Sequence, residues 1–445
     1  MTSKPPVRIG IRAPTNPIEI PKTRREFFKT GATLAGGLTL ASGAVLPALA
    51  EGGHDHTMAA GGHENESPMI LGSAELVQYG SRSPFEKSVR IPHPAGSTAS
   101  PDTFGKMFHI ASPIGEFHGT ITPSSLHYVA TTRQSYMPEI DPAKHTLTIH
   151  GVVDRPLTWT LADLKRFPSV SRLHFLECSG NRHGPQNKNV QESHGMTSCA
   201  EWTGVLLSTL IKECGLKTSA KWFVAEGAEE VKGASSMPIA KAMDDVLVAY
   251  GMNGEAVRPQ NGYPLRIVVP GFEGIFSTKY LRRIKIVDRY YMNYNDYGHL
   301  TETPTDAALR YQIGPKSIIT RPSGSQTLAG PGFYEITGLA WSGGGAIKSV
   351  EVSTDGGASW KRAELKSAPQ RMAHVRFSCP WNWDGKATSI MSRCTDEVGQ
   401  KQPTLEQVAK YWNKPYVKGY TMPGLNNSVM PWTIAQDGRI TNGLL

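Results

Sequence analysis

One cysteine in this sequence stands where an apolar strand gives way to a turn, in the run Leu173-His174-Phe175-Leu176-Glu177-Cys178-Ser179-Gly180-Asn181-Arg182-His183-Gly184. A thiolate at a rigid strand end can ligate a metal or act as a nucleophile, and the nearby glycine lets a large ligand approach the backbone. Arg182 and His183 follow the sulfur at short range and bring positive charge that would favour the thiolate. The same residues also read as a small core cysteine beside an ordinary turn. A second group with ligand chemistry is His54, His56 and His63, in a Gly/His-rich tract that would either hold a transition metal or form a solvated tail.

The elements that would position Cys178 are short. Thr146 to Gly151 alternates as a strand, Thr160 to Pro168 reads as a capped helix stopped by proline, and Thr203 to Ile211 reads as the start of another helix. Lys221 to Ala225 and Pro264 to Pro270 are apolar runs of strand length. Together they predict an α+β domain over about 104–300. After a linker near Thr301 to Pro315 the pattern becomes all-β: Phe333 to Trp341, Ile347 to Ser353, Trp360 to Leu365 and Ala373 to Phe377 alternate between Gly/Asp turns. Asp355-Gly356-Gly357 is a hairpin signal between two of them. An immunoglobulin-like β-sandwich over 310–440 fits this spacing, and with no catalytic cluster of its own it is expected to mediate dimerisation. No repeat relates the two domains.

The chain has 445 residues, enough for two or three cores, and its 45 glycines and 32 prolines favour turns and short strands. Residues 1–50 combine Thr23-Arg24-Arg25-Glu26-Phe27-Phe28-Lys29 with an uncharged stretch ending Leu46-Pro47-Ala48-Leu49-Ala50. These are the parts of a twin-arginine export signal, cleaved after Ala50, and the reading is preferred to a membrane anchor because the stretch is only weakly apolar. Export of a folded chain to the periplasm suits a cofactor inserted beforehand, and leaves no membrane span after cleavage. Residues 51–103 read as a loosely ordered lead-in. Of the formal net charge of +9, the leader holds seven Lys/Arg against two Asp/Glu, leaving about +4, which implies no nucleic-acid partner. The five cysteines (Cys178, Cys199, Cys214, Cys379, Cys394) are odd in number, so at least one stays unpaired; Cys178 is the candidate for that role and Cys379 with Cys394 for a disulfide. No Cys-x-x-Cys-His occurs, so no c-type haem is expected on this chain.

Three downstream stretches complete a set with Cys178: Asn261-Gly262-Tyr263-Pro264-Leu265-Arg266-Ile267-Val268-Val269-Pro270-Gly271, Lys279-Tyr280-Leu281-Arg282-Arg283-Ile284 and Asn295-Asp296-Tyr297. In this order they resemble the sulfite oxidase family of molybdenum-cofactor enzymes, from about Ser124 to the C-terminus. The resemblance implies molybdopterin as cofactor and Cys178 as the molybdenum ligand, a soft thiolate suited to that metal. It implies that Arg182, Arg266 and Lys279 clamp the pterin's phosphate. Tyr297 would be the active-site phenol, able to donate a hydrogen bond or move a proton, and Trp202 a pocket-wall tryptophan.

Departures from the family pattern bear on substrate. Typical sulfite oxidases carry Arg-Asn-His after an aromatic-Val pair; here the run is Tyr128-Val129-Ala130-Thr131-Thr132-Arg133. Ala130 replaces one arginine of the sulfite pocket, His183 stands where a second lies, and Asn261 replaces a histidine that helps hold the phosphate. Arg133 and His183 would compensate in part. These departures, with Ile121 to Ala130 and Pro138 to Pro142, are similar to the sulfane dehydrogenase (SoxC) branch of the family. That branch implies oxidation of sulfane sulfur on the cysteine of a SoxYZ-like carrier protein, and electron transfer to a c-type cytochrome subunit (SoxD-like). It also implies a homodimer through the C-terminal domain and a heterotetramer with the cytochrome. The alternatives are a sulfite dehydrogenase acting on free sulfite and, from another class, a periplasmic metal-binding protein using His54, His56 and His63.

Overall fold

A computed structural model describes residues 82–93, 109–131, 137–229, 232–292, 312–411 and 426–444. The proposed export signal, the tract holding His54, His56 and His63, Arg133, Tyr297 and most of the expected linker lie outside the described residues.

Two five-stranded sheets and a small three-stranded one (Ile91–Pro92, His109–Ala111, Val129–Ala130) build the first part of the chain. One places Thr146–Gly151 between Leu157–Thr160 and Leu281–Val287, and continues through Trp222–Gly227 to Ala234–Pro238. Thr146–Gly151 and Leu281–Val287 run parallel, so the sheet is mixed. Alternation in Thr146–Gly151 buries Leu147 and Ile149, which join Phe223, Ile284, Leu210 and Ile211 in one core. Thr160 caps a short helix, Leu161–Leu164, through a reciprocal pair of bonds with Asp163, as the sequence signals.

The second sheet carries the site. Val170–Glu177 pairs along its whole length with Thr197–Gly204, Leu247–Met252 pairs on the far side, and Arg266–Val268 joins that strand. The expected helix at Thr203 begins only at Leu207, and Thr203 to Leu206 is strand. Local helix propensity loses there because Thr203, Gly204 and Val205 are hydrogen-bonded into ladders with neighbouring strands.

From Lys316 onward two sheets face each other as a sandwich. Lys316–Arg321, Gly332–Trp341, Val375–Trp383 and Glu364–Leu365 make one; Lys361–Arg362, Ile347–Ser353, Thr388–Asp396, Pro431–Ile434 and Ile440–Asn442 make the other. The Asp355-Gly356-Gly357 turn does join a hairpin, with Glu351 opposite Arg362. Leu339 and Phe377 meet Val350, Ile390 and Trp432 in the core, and the same cluster takes in Ile114, Phe175 and Cys199 from the first domain. The two domains therefore share continuous apolar packing. All five cysteines are free thiols: Cys379 and Cys394 sit on opposite sheets of the sandwich and form no disulfide.

The lead-in is tied down where it is described. Arg90 donates to the carbonyl of His127 at 3.2 Å, Gln191 to that of Val89 at 2.9 Å, and His93 Nε2 lies 3.2 Å from the Gly180 carbonyl. No helix among the described residues is long and apolar enough to cross a membrane.

Candidate functional site

Cys178 extends the ladder by one residue past its strand, its N–H donating to the Met196 carbonyl at 3.0 Å. The chain then turns: Asn181 N–H donates to the Cys178 carbonyl at 2.8 Å, and Gly180 N–H approaches the sulfur at 3.4 Å. The Asn181 side chain locks this turn, its Oδ1 accepting from Met196 N–H at 2.9 Å and its Nδ2 donating to Glu177 at 2.8 Å. The sulfur thus sits on a fixed corner and lines a cavity. Desolvation pushes its thiol up to about 11. The charge expected to favour the thiolate does not prevail: Arg182 exerts only a minor opposing influence, and His183 is neutral, pushed down to about 3 by burial.

The cavity walls come from separate segments. Cys178 and Ser179 form one side, His127, Tyr128 and Ala130 another, Gln260, Asn261 and Arg266 with the run from Glu273 to Lys279 a third, and Leu176, Glu229 and Gly233 complete the wall. Gly274 makes the close approach possible, because a Cβ there would stand 2.6 Å from the Tyr128 hydroxyl and 3.0 Å from the Glu177 carbonyl. Gly262 does the same below Lys279: its φ is +111° and a Cβ would lie 2.9 Å from that of Lys279.

Two cations reach this cavity held mainly by backbone carbonyls, and Glu229 in the same wall acts on Lys279 as a counter-charge at longer range. Arg266 donates to the carbonyls of Asn261 at 2.8 Å and Ser277 at 2.9 Å, and its guanidinium lies 4.8 Å above the Trp202 ring. Lys279 Nζ donates to the carbonyls of Ala130 at 3.0 Å and Gln260 at 3.3 Å. Burial pushes Arg266 down to about 10 and Lys279 to about 7, the latter helped by the neighbouring Arg266 charge. Beside them are two buried polar atoms with no partner, His127 Nε2 and Asn261 Oδ1. Such atoms are costly unless a ligand meets them. A thiol on one wall, two under-paired cations and two unmet polar atoms fit a ligand that is anionic, rich in hydrogen-bonding groups and able to present a soft metal to sulfur. Among the described residues no group of three or more His, Cys, Asp or Glu could by itself hold a metal ion.

Of the residues expected from sequence, Cys178, Asn261, Arg266 and Lys279 line this cavity together. Trp202 lies behind it, fully buried, as the platform beneath Arg266 and edge-on to His127. Arg182 is not part of the lining; its charge lies near His93, where burial and then that charge lower the imidazole's affinity for protons. His183 turns to the sandwich, 3.2 Å from the Ser428 hydroxyl and stacked on His194, so it does not occupy an arginine's place in the pocket. His127, Glu229 and Glu273 also stand in the wall, with no sequence signal to single them out.

Two family models match the chain: an oxidoreductase molybdopterin binding domain over 134–295, and a Mo-co oxidoreductase dimerisation domain over 308–421. Among solved structures, the sulfane dehydrogenase SoxCD from Paracoccus pantotrophus superposes with a TM-score of 0.72 at 32% identity, over 84% of this chain and 95% of that one. Among curated proteins, nitrate reductase [NADH] 1 of Arabidopsis thaliana is 32% identical over 335 residues, 64% of this chain and 36% of that protein. Mitochondrial sulfite oxidase of Rattus norvegicus is 31% identical over 329 residues, 66% of this chain and 59% of that protein. The chain thus spans between about a third and three fifths of the length of these curated relatives.

Proposed function

Since the chain belongs to the sulfite oxidase family of molybdenum-cofactor oxidoreductases, we propose that it is the molybdenum subunit of a periplasmic sulfane dehydrogenase. It oxidises sulfane sulfur held on a carrier-protein cysteine and passes the electrons to a c-type cytochrome subunit. The observation that carries this reading is the cavity itself: Cys178, Arg266 and Lys279 converge on it, and Ala130 lines it without charge. The cationic pocket that would attract a small free anion is thereby weakened. The extent of the likeness to sulfane dehydrogenase SoxCD supports the same choice.

The residues present fit molybdopterin. Cys178 would hold the metal, while Arg266, Lys279, His127 and Asn261 would meet the pterin's anionic and polar groups. When bound, the cofactor supplies the two-electron oxidation of sulfur. The chain's own contribution is placement. The Asn181 lock fixes the sulfur's corner, and Trp202 and two carbonyls hold the Arg266 fork in one orientation. Arg133 and Tyr297 are proposed to face the substrate, Tyr297 moving a proton. Assembly follows as a homodimer through the sandwich, joined by the cytochrome into a heterotetramer, after twin-arginine export.

Metal and pterin analysis of the purified protein, with turnover on carrier-bound sulfane sulfur and on free sulfite using cytochrome c as acceptor, tests the proposal. Molybdenum near one per chain and preference for the carrier-bound substrate are expected. Preference for free sulfite would instead establish the second reading, a sulfite dehydrogenase, which the likeness to rat sulfite oxidase favours. A protein without molybdenum overturns both.

A further inference from the structure

Glu177, immediately before the proposed metal ligand, is 1% exposed and is gripped by the second domain. Its Oε1 accepts from Lys316 Nζ at 2.5 Å and from Asn181 Nδ2 at 2.8 Å, and its Oε2 accepts from Trp341 Nε1 at 2.6 Å. Lys316, 2% exposed, also donates to the Asn181 carbonyl at 3.0 Å. Lys316 and Trp341 are register partners in one antiparallel pair of the sandwich, so the two donors reach Glu177 from a single rigid ladder. Asn181 is the residue that locks the Cys178 turn. A small cavity between the domains, lined by Cys178 and Ser179 from one and by Gly314, Lys316 and Asn427 from the other, lies behind the same corner.

A buried ion pair is seldom kept for net stability, since apolar replacements often serve as well; its better-attested use is to specify one arrangement. We propose that Lys316 and Glu177 are positioning residues, through which docking of the sandwich sets the turn that presents Cys178 to the cofactor. The proposal rests on the reading that Cys178 takes the metal. It makes the second domain part of the site's construction in addition to any role in dimerisation.

The test uses the full-length chain, produced with and without cofactor supply, as wild type, Lys316→Met, Glu177→Gln and the double variant. Cys178 is the only one of the five cysteines not buried, so iodoacetamide labelling of the native protein, mapped by mass spectrometry, reads its turn. In cofactor-free protein the double variant should recover the unfolding midpoint lost by Lys316→Met, because no unpaired charge remains. Its Cys178 labelling should nonetheless stay about tenfold faster than wild type, because the turn has lost its anchor. Molybdenum content after cofactor loading should fall by about 10- to 100-fold, as for other outer partners of a metal ligand. If labelling returns to the wild-type rate whenever stability does, the pair is structural only and the proposal is overturned. If the labelling pattern holds but wild-type protein takes up no molybdenum, positioning stands and the cofactor reading is what fails.

Discussion

Cys178 stands between two lysines, one partly buried and one fully buried, whose surroundings differ. Lys279, on the cavity side, donates to two backbone carbonyls, lies 5.5 Å from the centre of the Tyr280 ring and has Glu229 only as a longer-range counter-charge, and burial pushes it down to about 7. Lys316, on the sandwich side, meets the Glu177 carboxylate and the Asn181 carbonyl. A buried cation left without a counter-charge is a penalty unless a ligand brings one. One that is paired and hydrogen-bonded on all sides belongs to the assembly. The contrast separates the wall that waits for an anion from the wall that fixes the loop, although both flank the same sulfur.

The largest effect should come from the sulfur between them. Cys178→Ser is expected to lower molybdenum-dependent turnover by more than the about 10- to 100-fold that loss of an outer partner costs, with the fold's unfolding midpoint nearly unchanged. Turnover per bound molybdenum measures it, and near-normal values would remove the reason for comparing the two walls. Next come the lysines, with opposite signs. Lys316→Met leaves the buried Glu177 carboxylate without its counter-charge and should cost about 3–5 kcal/mol of stability. Lys279→Met removes an under-paired ammonium, so the cofactor-free chain should be unharmed or gain about 1 kcal/mol, while cofactor binding weakens by about 1.5–3 kcal/mol. Denaturant titration with and without cofactor reads both, and equal destabilisation by the two variants would break the contrast.

Much of the cavity wall was legible because its signals are local. Cys178 ends an apolar run before a Gly/Asn turn, and Arg266 and Lys279 lie in the ordered motifs of the family resemblance. The α+β domain and the sandwich followed from period-two alternation and hairpin glycines. What was missed depends on contacts between distant residues. Glu177 and Lys316 are 139 positions apart, and nothing around either marks a partner. His127 is a single histidine in an ordinary phrase, and its unmet Nε2 acquires meaning only once three segments enclose it. The place of His183 in its motif points to the pocket, but past the Asn181 lock the chain turns its ring toward Ser428 in the sandwich. Thr203 to Leu206 reads in sequence as the start of a helix, and pairing with Leu247–Met252, joined at Thr203 and Gly204 by Val170–Glu177, makes it strand.

The smallest predicted effect is a slope with pH. Lys279 has a folded-state pKa near 7, below its ordinary 10.5. Between those values the unfolded chain holds a proton that the folded chain lacks, so stability rises with pH. Below about pH 7 both states are protonated and the full penalty of burying the charge applies. The rise cannot exceed about 1.4 kcal/mol per pH unit for one proton. The buried imidazoles with the lowest values among the described residues stay out of the lower part of this window. His127 at about 3 and His174 at about 4 make their contribution below pH 7, because unfolded imidazoles are already neutral above it. Cys178, raised from 9.0 to about 11, acts in the opposite direction above about pH 9, where the unfolded thiol loses its proton first. The stability of cofactor-free protein should therefore climb between about pH 7 and 8.5, and Lys279→Met should flatten that climb. Bound cofactor should flatten it too, by giving the ammonium an anion and holding it protonated. A climb that persists in Lys279→Met would place its source elsewhere and remove the electrostatic half of the contrast between the two walls.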